Sequence, residues 1–331
     1  MIQSAVNLQK RFAAGLLVYV IGVSPAFAQQ TWSMATVYPA DTMAGHGIER
    51  FSTALVDQSE GDVIGQVTFG VKHSANELIA SVLGGRLQAC GVFGGSLVQF
   101  DPIFELATLP FNIHSIAESK KLADLAEPYY RAALSRMGLH LLFVSPWPPT
   151  GLWSRKPIST LADIQAMRIR TYSAPSARVL SEIGAHAQAL PIQDVKPMLL
   201  AGTLDGVLSS GDGAVGRSIH SELPNFTAIS YAYPFSFVVM GEARYRALSD
   251  ARRGNVDRAA EQAKREQWAE LPKRVELNYR AMHLSGVRVK TSIDADLSQR
   301  FNQTRQTYLR DWLSRVNADY ADIVGKLIKD Q

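Results

Sequence analysis

Residues 163–211, which read DIQAMRIRTYSAPSARVLSEIGAHAQALPIQDVKPMLLAGTLDGVLSSG, decide the fold of this chain. Apolar and charged residues alternate over 167–170, and this period of two predicts a β-strand. The alternation places Arg168 and Arg170 together on one face of that strand. The strand therefore presents two guanidinium groups on one side, and their surroundings decide what they can bind.

The residues after this strand predict a β-α-β unit. Pro175 begins a helix, because a proline in the first helical turn loses no hydrogen bond, and Gly184 ends it. A second helix is predicted over 194–201, and an apolar strand follows over 204–208. In open α/β sheets ligands bind at the carboxyl ends of the strands, which is the position of Arg170.

A family signature lies in the same stretch. Its residues are Arg168, Ile169, Arg170, Gly184, Ala185, Pro191, Asp194, Leu199, Gly202, Asp205 and Gly206. With this spacing the stretch resembles the core signature of the extracytoplasmic solute-binding subunits of TRAP (tripartite ATP-independent periplasmic) transporters, the DctP family. The resemblance implies that Arg170 clamps the carboxylate of the substrate. A guanidinium suits this role, because its planar fork matches a carboxylate and stays charged when desolvated. The alternative for Arg170 is a structural arginine at the surface or in an ion pair.

The remaining sequence predicts an open α/β sheet. The resemblance implies an α/β fold with two lobes, a periplasmic binding protein of the Venus-flytrap type with hinge crossovers and a C-terminal helix. Residues 29–148 and 236–275 are expected to form lobe I. Residues 149–235 and 276–331, with the C-terminal helix, are expected to form lobe II. The family has a long helix that braces both lobes, and Pro272 within it is expected to kink or split that helix.

The N-terminus has the pattern of a secretory signal. Lys10 and Arg11 precede an apolar run over 13–23, and Ala26-Phe27-Ala28 is a small-x-small cleavage site. Residues 1–28 are therefore expected to be a cleaved signal peptide that directs the protein to the periplasm of a Gram-negative bacterium. The alternative is an uncleaved membrane anchor, although the apolar run is short for a membrane span.

Composition excludes several classes of function. The chain has 331 residues, 47% of them hydrophobic, and a net charge of +4. Without Lys10 and Arg11 the charge is 4 − 2 = +2, and the basic residues are scattered, so nucleic acid is not expected as a partner. The single cysteine, Cys90, excludes an internal disulfide and is expected to be a buried core residue.

No pattern in the sequence demands catalysis. The seven histidines include no pair spaced i, i+4 and no H-E-x-x-H, so neither a metal nor a cofactor is expected. There is no G-x-S-x-G elbow. Residues 211–216 formally match G-x-G-x-x-G, but no acidic residue for a ribose follows about 20 positions later. We interpret these glycines as allowing a tight turn or the close approach of a ligand, and we predict that the protein is not an enzyme.

Aromatic and hydroxyl side chains near strand ends and crossovers complete the predicted site. Besides Arg170, the candidates for substrate binding are Tyr38, Phe93, Trp147, Tyr172, Ser173, Ser209, Ser210 and Tyr233. By the resemblance, Thr150 occupies the place where sialate-binding members carry a second arginine. One guanidinium among several aromatic rings predicts a small monocarboxylate, aromatic or branched, with a 2-oxo or 2-hydroxy group.

The resemblance implies a function in transport. The protein is expected to close around a small carboxylate and deliver it to the small and large membrane subunits of a TRAP transporter. Three alternatives remain at this stage: a ligand-binding sensor module for a membrane signalling protein, a secreted α/β enzyme, and a binding protein of the ABC type.

Overall fold

The computed structural model describes residues 29–328. The predicted signal peptide, residues 1–28, lies outside the described residues. The strands are β1 (Gln30–Thr36), β2 (Val63–Thr68), β3 (Ala89–Phe93), β4 (Leu139–Pro146), β5 (Gly151–Ser154), β6 (Arg168–Thr171), β7 (His186–Ala189), β8 (Gly206–Ser209), β9 (Asn225–Thr227), β10 (Phe235–Gly241) and β11 (Arg288–Lys290). The helices are α1 (Met43–Gln58), α2 (Ala75–Leu83), α3 (Ile116–Arg136), α4 (Leu161–Ile164), α5 (Ala174–Glu182), α6 (Val195–Leu200), α7 (Gly213–Arg217), α8 (Glu242–Ala247), α9 (Asp250–Leu284), α10 (Ala295–Arg315) and α11 (Ala318–Ile328).

These strands form two sheets, one in each lobe. The sheet of lobe I has the order β2-β1-β3-β10-β4, and the sheet of lobe II has the order β11-β9-β5-β8-β6-β7. The chain passes from lobe I to lobe II between β4 and β5, and it returns between β9 and β10. The predicted α/β fold with two lobes is confirmed.

The β-α-β unit around Arg170 forms as the local sequence predicts, with one addition. Strand β6 pairs in parallel with β8, and Arg170 lies opposite Val207. The Ser173 hydroxyl caps α5 by accepting a hydrogen bond from the Ser176 N–H. Between α5 and α6 the chain forms β7, which pairs with β6 at the sheet edge and which the sequence analysis did not predict. Strand β6, which carries Arg170, therefore lies between β8 and β7. The residues that follow Arg170 face the other lobe.

The expectation that Pro272 splits the long helix is wrong. Helix α9 runs through Pro272 as one helix of 35 residues. A proline inside a helix costs about 3 kcal/mol, through a lost hydrogen bond and a clash of its ring with the preceding turn. Packing on both lobes offsets this cost, since Val256 and Ala263 are buried in lobe I and Met282 in lobe II. The helix braces the two lobes.

The C-terminal helices do not follow the predicted division, which placed all of 276–331 in lobe II. The Phe301 ring of α10 stacks on Phe111 of lobe I with centroids 4.5 Å apart. The same helix reaches lobe II, where Arg178 Nη2 donates to Asp311 Oδ2 at 2.8 Å. Helix α11 packs against α3 of lobe I. The C-terminal segment is thus a strap across both lobes, while the other predicted boundaries stay a prediction.

The largest apolar core contains residues of both sheets, such as Val92 and Ile169, and each lobe has a smaller core of its own. Cys90 is fully buried in lobe I, as predicted. Among the helices of residues 29–328, none has both the length and the apolar character that a membrane crossing requires.

Candidate functional site

A pocket lies between the lobes, at the carboxyl ends of strands from both sheets. It offers about 470 Å³ of empty space, counting the part open to solvent. Its lining residues are Tyr38, Phe93, Trp147, Thr150, Arg170, Tyr172, Ile192, Leu208, Ser209, Ser210, Asp212 and Pro234. Tyr38 and Phe93 come from lobe I, and Arg170 comes from lobe II, so a bound molecule would contact both lobes.

Arg170 is the one lining residue with a guanidinium group, and it is only 5% exposed. Its Nε donates to the Leu190 carbonyl oxygen at 2.8 Å, and its Nη1 donates to the Leu208 carbonyl oxygen at 3.4 Å. Burial lowers the pKa of Arg170 to about 10, which leaves the group charged at neutral pH. A guanidinium has five N–H groups, so two backbone carbonyls leave capacity for a further acceptor.

The wall of the pocket is aromatic and rigid. The rings of Tyr38 and Trp147 meet edge to face with centroids 4.7 Å apart, and those of Phe93 and Tyr172 do so at 5.4 Å. The Trp147 indole N–H is fixed by donating to Ser236 Oγ at 2.9 Å. Paired rings of this kind present flat apolar faces in defined orientations.

Two phenol groups flank the guanidinium. Burial raises the pKa of Tyr38 to about 12, and the charge of Arg170 opposes that effect only in part. Burial also raises the pKa of Tyr172, and its neighbours Thr150 and Arg170 oppose that effect only in part. Both phenols are therefore neutral at physiological pH, and each can donate a hydrogen bond to an anion.

Seven of the predicted site residues line the pocket, namely Tyr38, Phe93, Trp147, Arg170, Tyr172, Ser209 and Ser210. The other two lie outside its lining. The Ser173 hydroxyl caps α5, and the Tyr233 hydroxyl donates to the His114 carbonyl oxygen at 3.2 Å. Both were predicted because they lie near a strand end or crossover. In the structure, their hydroxyl groups make hydrogen bonds within the protein.

Five further lining residues were absent from the predicted site: Thr150, Ile192, Leu208, Asp212 and Pro234. Thr150 had a signal, because the family resemblance placed a ligand contact there. Asp212 lies inside the rejected G-x-G-x-x-G segment. The sequence offered no comparable signal for the three apolar residues, because an apolar residue after a strand is as common in a core as in a pocket.

The glycine-rich segment after β8 makes a tight turn, one of the two interpretations given to it. Gly213 has φ +58°, and a Cβ there would lie 2.7 Å from the Asp41 carbonyl oxygen of lobe I. A Cβ at Gly216 would lie 1.9 Å from the Gly211 carbonyl oxygen. Glycine is thus required by contact with the protein's own backbone.

The pocket opens into a wider part of the cleft. That space measures about 1260 Å³, and it shares Tyr38, Phe93, Arg170 and Tyr172 with the pocket. Lys72 and His73 lie on its lobe I side. Across residues 29–328, no three His, Cys, Asp or Glu side chains converge as a metal site would require. The side chains that line the pocket, with Arg170 as the cation, can bind an anion between the two lobes.

Two α/β lobes joined by crossovers and a long helix, with a buried cation between them, define a two-domain solute-binding protein. Residues 34–314 match the family of bacterial extracellular solute-binding proteins, family 7, or DctP, and the chain belongs to this family. It is thus a solute-binding protein of the TRAP transporter type, as the sequence resemblance implied. The match supports the transport interpretation and lends no support to the sensor or enzyme alternatives. Family members are periplasmic solute receptors.

Curated relatives and solved structures agree with this membership. A solute-binding protein of Chromohalobacter salexigens is 22% identical over 298 residues, with 87% of each chain covered. The 2,3-diketo-L-gulonate-binding periplasmic protein YiaO of Escherichia coli is 23% identical over 274 residues, covering 80% of this chain and 82% of YiaO. DctP7 of Bordetella pertussis, an extracytoplasmic solute receptor binding pyroglutamic acid, has a similar fold. Its TM-score is 0.85 at 23% identity, with 90% of this chain and 99% of DctP7 covered.

Proposed function

We propose that this protein captures a small organic acid and delivers it to a TRAP-type membrane permease. The observation that carries the proposal is the buried Arg170, whose charge is held by two backbone carbonyl oxygens and flanked by neutral phenols. A buried charge needs a partner of opposite sign to offset its desolvation. The carboxylate of a substrate supplies that partner.

The lining favours a compact monocarboxylate. The pocket presents one cation, four aromatic rings and the hydroxyls of Thr150, Ser209 and Ser210. It also contains the Asp212 carboxylate, whose oxygens already accept hydrogen bonds from within the protein. Aromatic faces suit a flat or branched apolar body, and a second charge in the ligand would meet no second cation in the pocket lining. Receptors with similar folds bind pyroglutamate, and one binds D-glucuronate. Of these two, pyroglutamate fits the lining better, because a sugar acid has hydroxyls in excess of the polar partners here.

The cellular setting follows from the same proposal. Residues 1–28 direct the chain to the periplasm and are removed there. The loaded protein then docks on the small and large membrane subunits of its transporter, and it performs no reaction on the solute.

A binding screen tests the proposal. The purified protein is titrated calorimetrically with pyroglutamate, branched and aromatic 2-oxo and 2-hydroxy acids, D-glucuronate and a C4-dicarboxylate. We expect dissociation constants in the micromolar range or below for one of the monocarboxylates. Tight binding of the dicarboxylate or glucuronate alone would overturn the ligand class, and heat from no acid in the set would overturn the function.

A further inference from the structure

Two aspartates reach across the cleft in opposite directions. Asp41 follows β1 in lobe I, and Asp212 follows β8 in lobe II. Asp212 Oδ2 accepts a hydrogen bond from the Met43 N–H, the first residue of α1, at 2.6 Å. Asp41 Oδ1 accepts from the Ala214 N–H of α7 at 3.2 Å. Each lobe thus supplies a carboxylate that accepts a hydrogen bond from the first turn of a helix in the other lobe.

Helix α9 ties the two aspartates together. Arg274 Nε donates to Asp212 Oδ1 at 2.6 Å, and its Nη2 donates to the backbone carbonyl oxygen of Asp41. Asn278, one turn further along, donates to the same Asp212 oxygen at 2.9 Å. On the cleft surface, Arg217 of α7 donates to Asp41 Oδ2. The network joins lobe I, lobe II and the bracing helix.

The two halves of the network differ in exposure. The Asp212 side chain is fully buried, and its three donors satisfy it. The Asp41 carboxylate is 42% exposed, and the Arg217 side chain is 57% exposed. An exposed ion pair exchanges readily with water, so the Asp41 side can release at little cost. The buried hydrogen bonds of Asp212 are therefore expected to persist, and the exposed Asp41–Arg217 ion pair is expected to open first.

The network is continuous with the pocket. Asp212 itself lines the pocket, and Ser209 and Ser210 lie on the same segment just before it. Tyr38, which lines the pocket from lobe I, precedes Asp41 by three residues. A solute that contacts Tyr38 and Ser209 together holds the same two segments that the aspartates join.

We infer that Asp41, Asp212, Arg217 and Arg274 form a reciprocal latch, which holds the lobes closed over a bound organic acid and slows its release. This inference rests on the proposed function for its ligand. Asp41 and Arg217 are positioning residues, because they act on solute release through the lobes and touch no solute. The latch joins the two lobes with or without a solute, and its exposed pair opens first on release.

The test compares the wild type with Asp41→Asn, with Asp41→Asn/Arg217→Gln and with a control. Asp124→Asn is the matched control, because Lys120 and Asp124 form an ion pair of similar exposure inside lobe I. Release of pyroglutamate, or of the panel acid that binds more tightly, is followed by stopped-flow fluorescence. We expect the dissociation rate to rise about threefold in the latch variants, as suits the loss of an exposed ion pair, with the association rate nearly unchanged. The control is expected to match the wild type.

Small-angle scattering separates the latch from the binding function. If no acid binds the wild type, the proposed function fails, and the latch is judged on unliganded protein. The double variant is then expected to have a larger radius of gyration than the wild type and the control. Equal radii in the absence of ligand, or equal dissociation rates in its presence, would overturn the latch. A lower melting temperature with neither change would make the network a structural staple instead, and would also overturn it.

Discussion

The two ends of strand β6 carry the same residue type in opposite surroundings. Arg168 is 47% exposed, and it grips Asp205 with two parallel bonds, Nε to Oδ2 at 2.8 Å and Nη2 to Oδ1 at 2.7 Å. Arg170, two residues later, is buried and bonded to backbone carbonyl oxygens alone. Arg168 therefore has a carboxylate partner within the protein, whereas Arg170 is available to a carboxylate of a bound solute.

This difference shows that strand alternation alone does not identify a ligand-binding arginine. Both guanidinium groups leave the strand on the same face by the period of two, as the sequence predicts. The distinction comes from what lies opposite. Asp205 sits beside Arg168 at the start of β8, whereas Arg170 lies at the strand end that faces lobe I. A carboxylate added beside Arg170 should therefore weaken solute binding, whereas loss of the carboxylate beside Arg168 should affect stability alone.

The largest effect is expected from Arg170→Ala. Loss of the guanidinium removes the partner of the substrate carboxylate, and it should weaken binding by about 100-fold or more, equivalent to roughly 3 kcal/mol. Calorimetric titration measures the change, with Arg168→Ala as the matched control. Equal affinity in Arg170→Ala and the wild type would refute the clamp, and a comparable loss in Arg168→Ala would refute the contrast between the two ends.

A carboxylate placed beside Arg170 should pair with its guanidinium group, as Asp205 pairs with Arg168. Ser209→Asp puts an acidic side chain in the lining of the pocket, one residue after the carbonyl that Arg170 already contacts. The new ion pair and the repulsion of an anionic solute should weaken binding by about 30-fold. Ser209→Asn is the neutral control of similar size. Unchanged affinity in Ser209→Asp would show that the pocket does not select for negative charge.

Breaking the Arg168–Asp205 ion pair should lower the free energy of unfolding and leave solute binding unchanged. Asp205→Asn removes the charge held by Arg168, and because the pair is half-exposed the loss should be about 1 kcal/mol in the free energy of unfolding. Hydrogen bonds from Arg168 lower the pKa of Asp205. The pair therefore stabilises above the unfolded pKa, and its contribution is lost as the pH falls through the folded value. Urea titrations should show the wild type and variant converging below about pH 4, and a persistent gap would contradict this.

The smallest effect is expected from pH itself. Arg170 and Tyr38 have pKa values of about 10 and 12, so neither changes charge between pH 6 and 9. Affinity for a monocarboxylate should stay within about twofold over this interval. Isothermal titrations at three pH values check it. A steep slope near neutral pH would contradict this expectation.

Local signals in the sequence were sufficient for the β-α-β unit and for Arg170. Pro175 and Gly184 mark the bounds of α5 closely, and the strand before it is read directly from its alternation. Signals that depend on distant contacts were missed. Tyr233 bonds a carbonyl 119 residues away, and Asp212 gains its partners from α1 and α9. The persistence of α9 beyond Pro272 has the same origin, because packing on two lobes overrides a local helix breaker.

Pro272 makes helix α9 easier to bend at one turn. Because proline has no N–H, the Trp268 carbonyl receives no helical hydrogen bond from position 272, and bending there stretches one bond fewer than elsewhere. The proline lies between the part of α9 buried in lobe I and the part buried in lobe II, two residues before Arg274. The turn at Pro272 therefore resists bending less than the rest of the helix, and it lies between the two lobes that the helix joins.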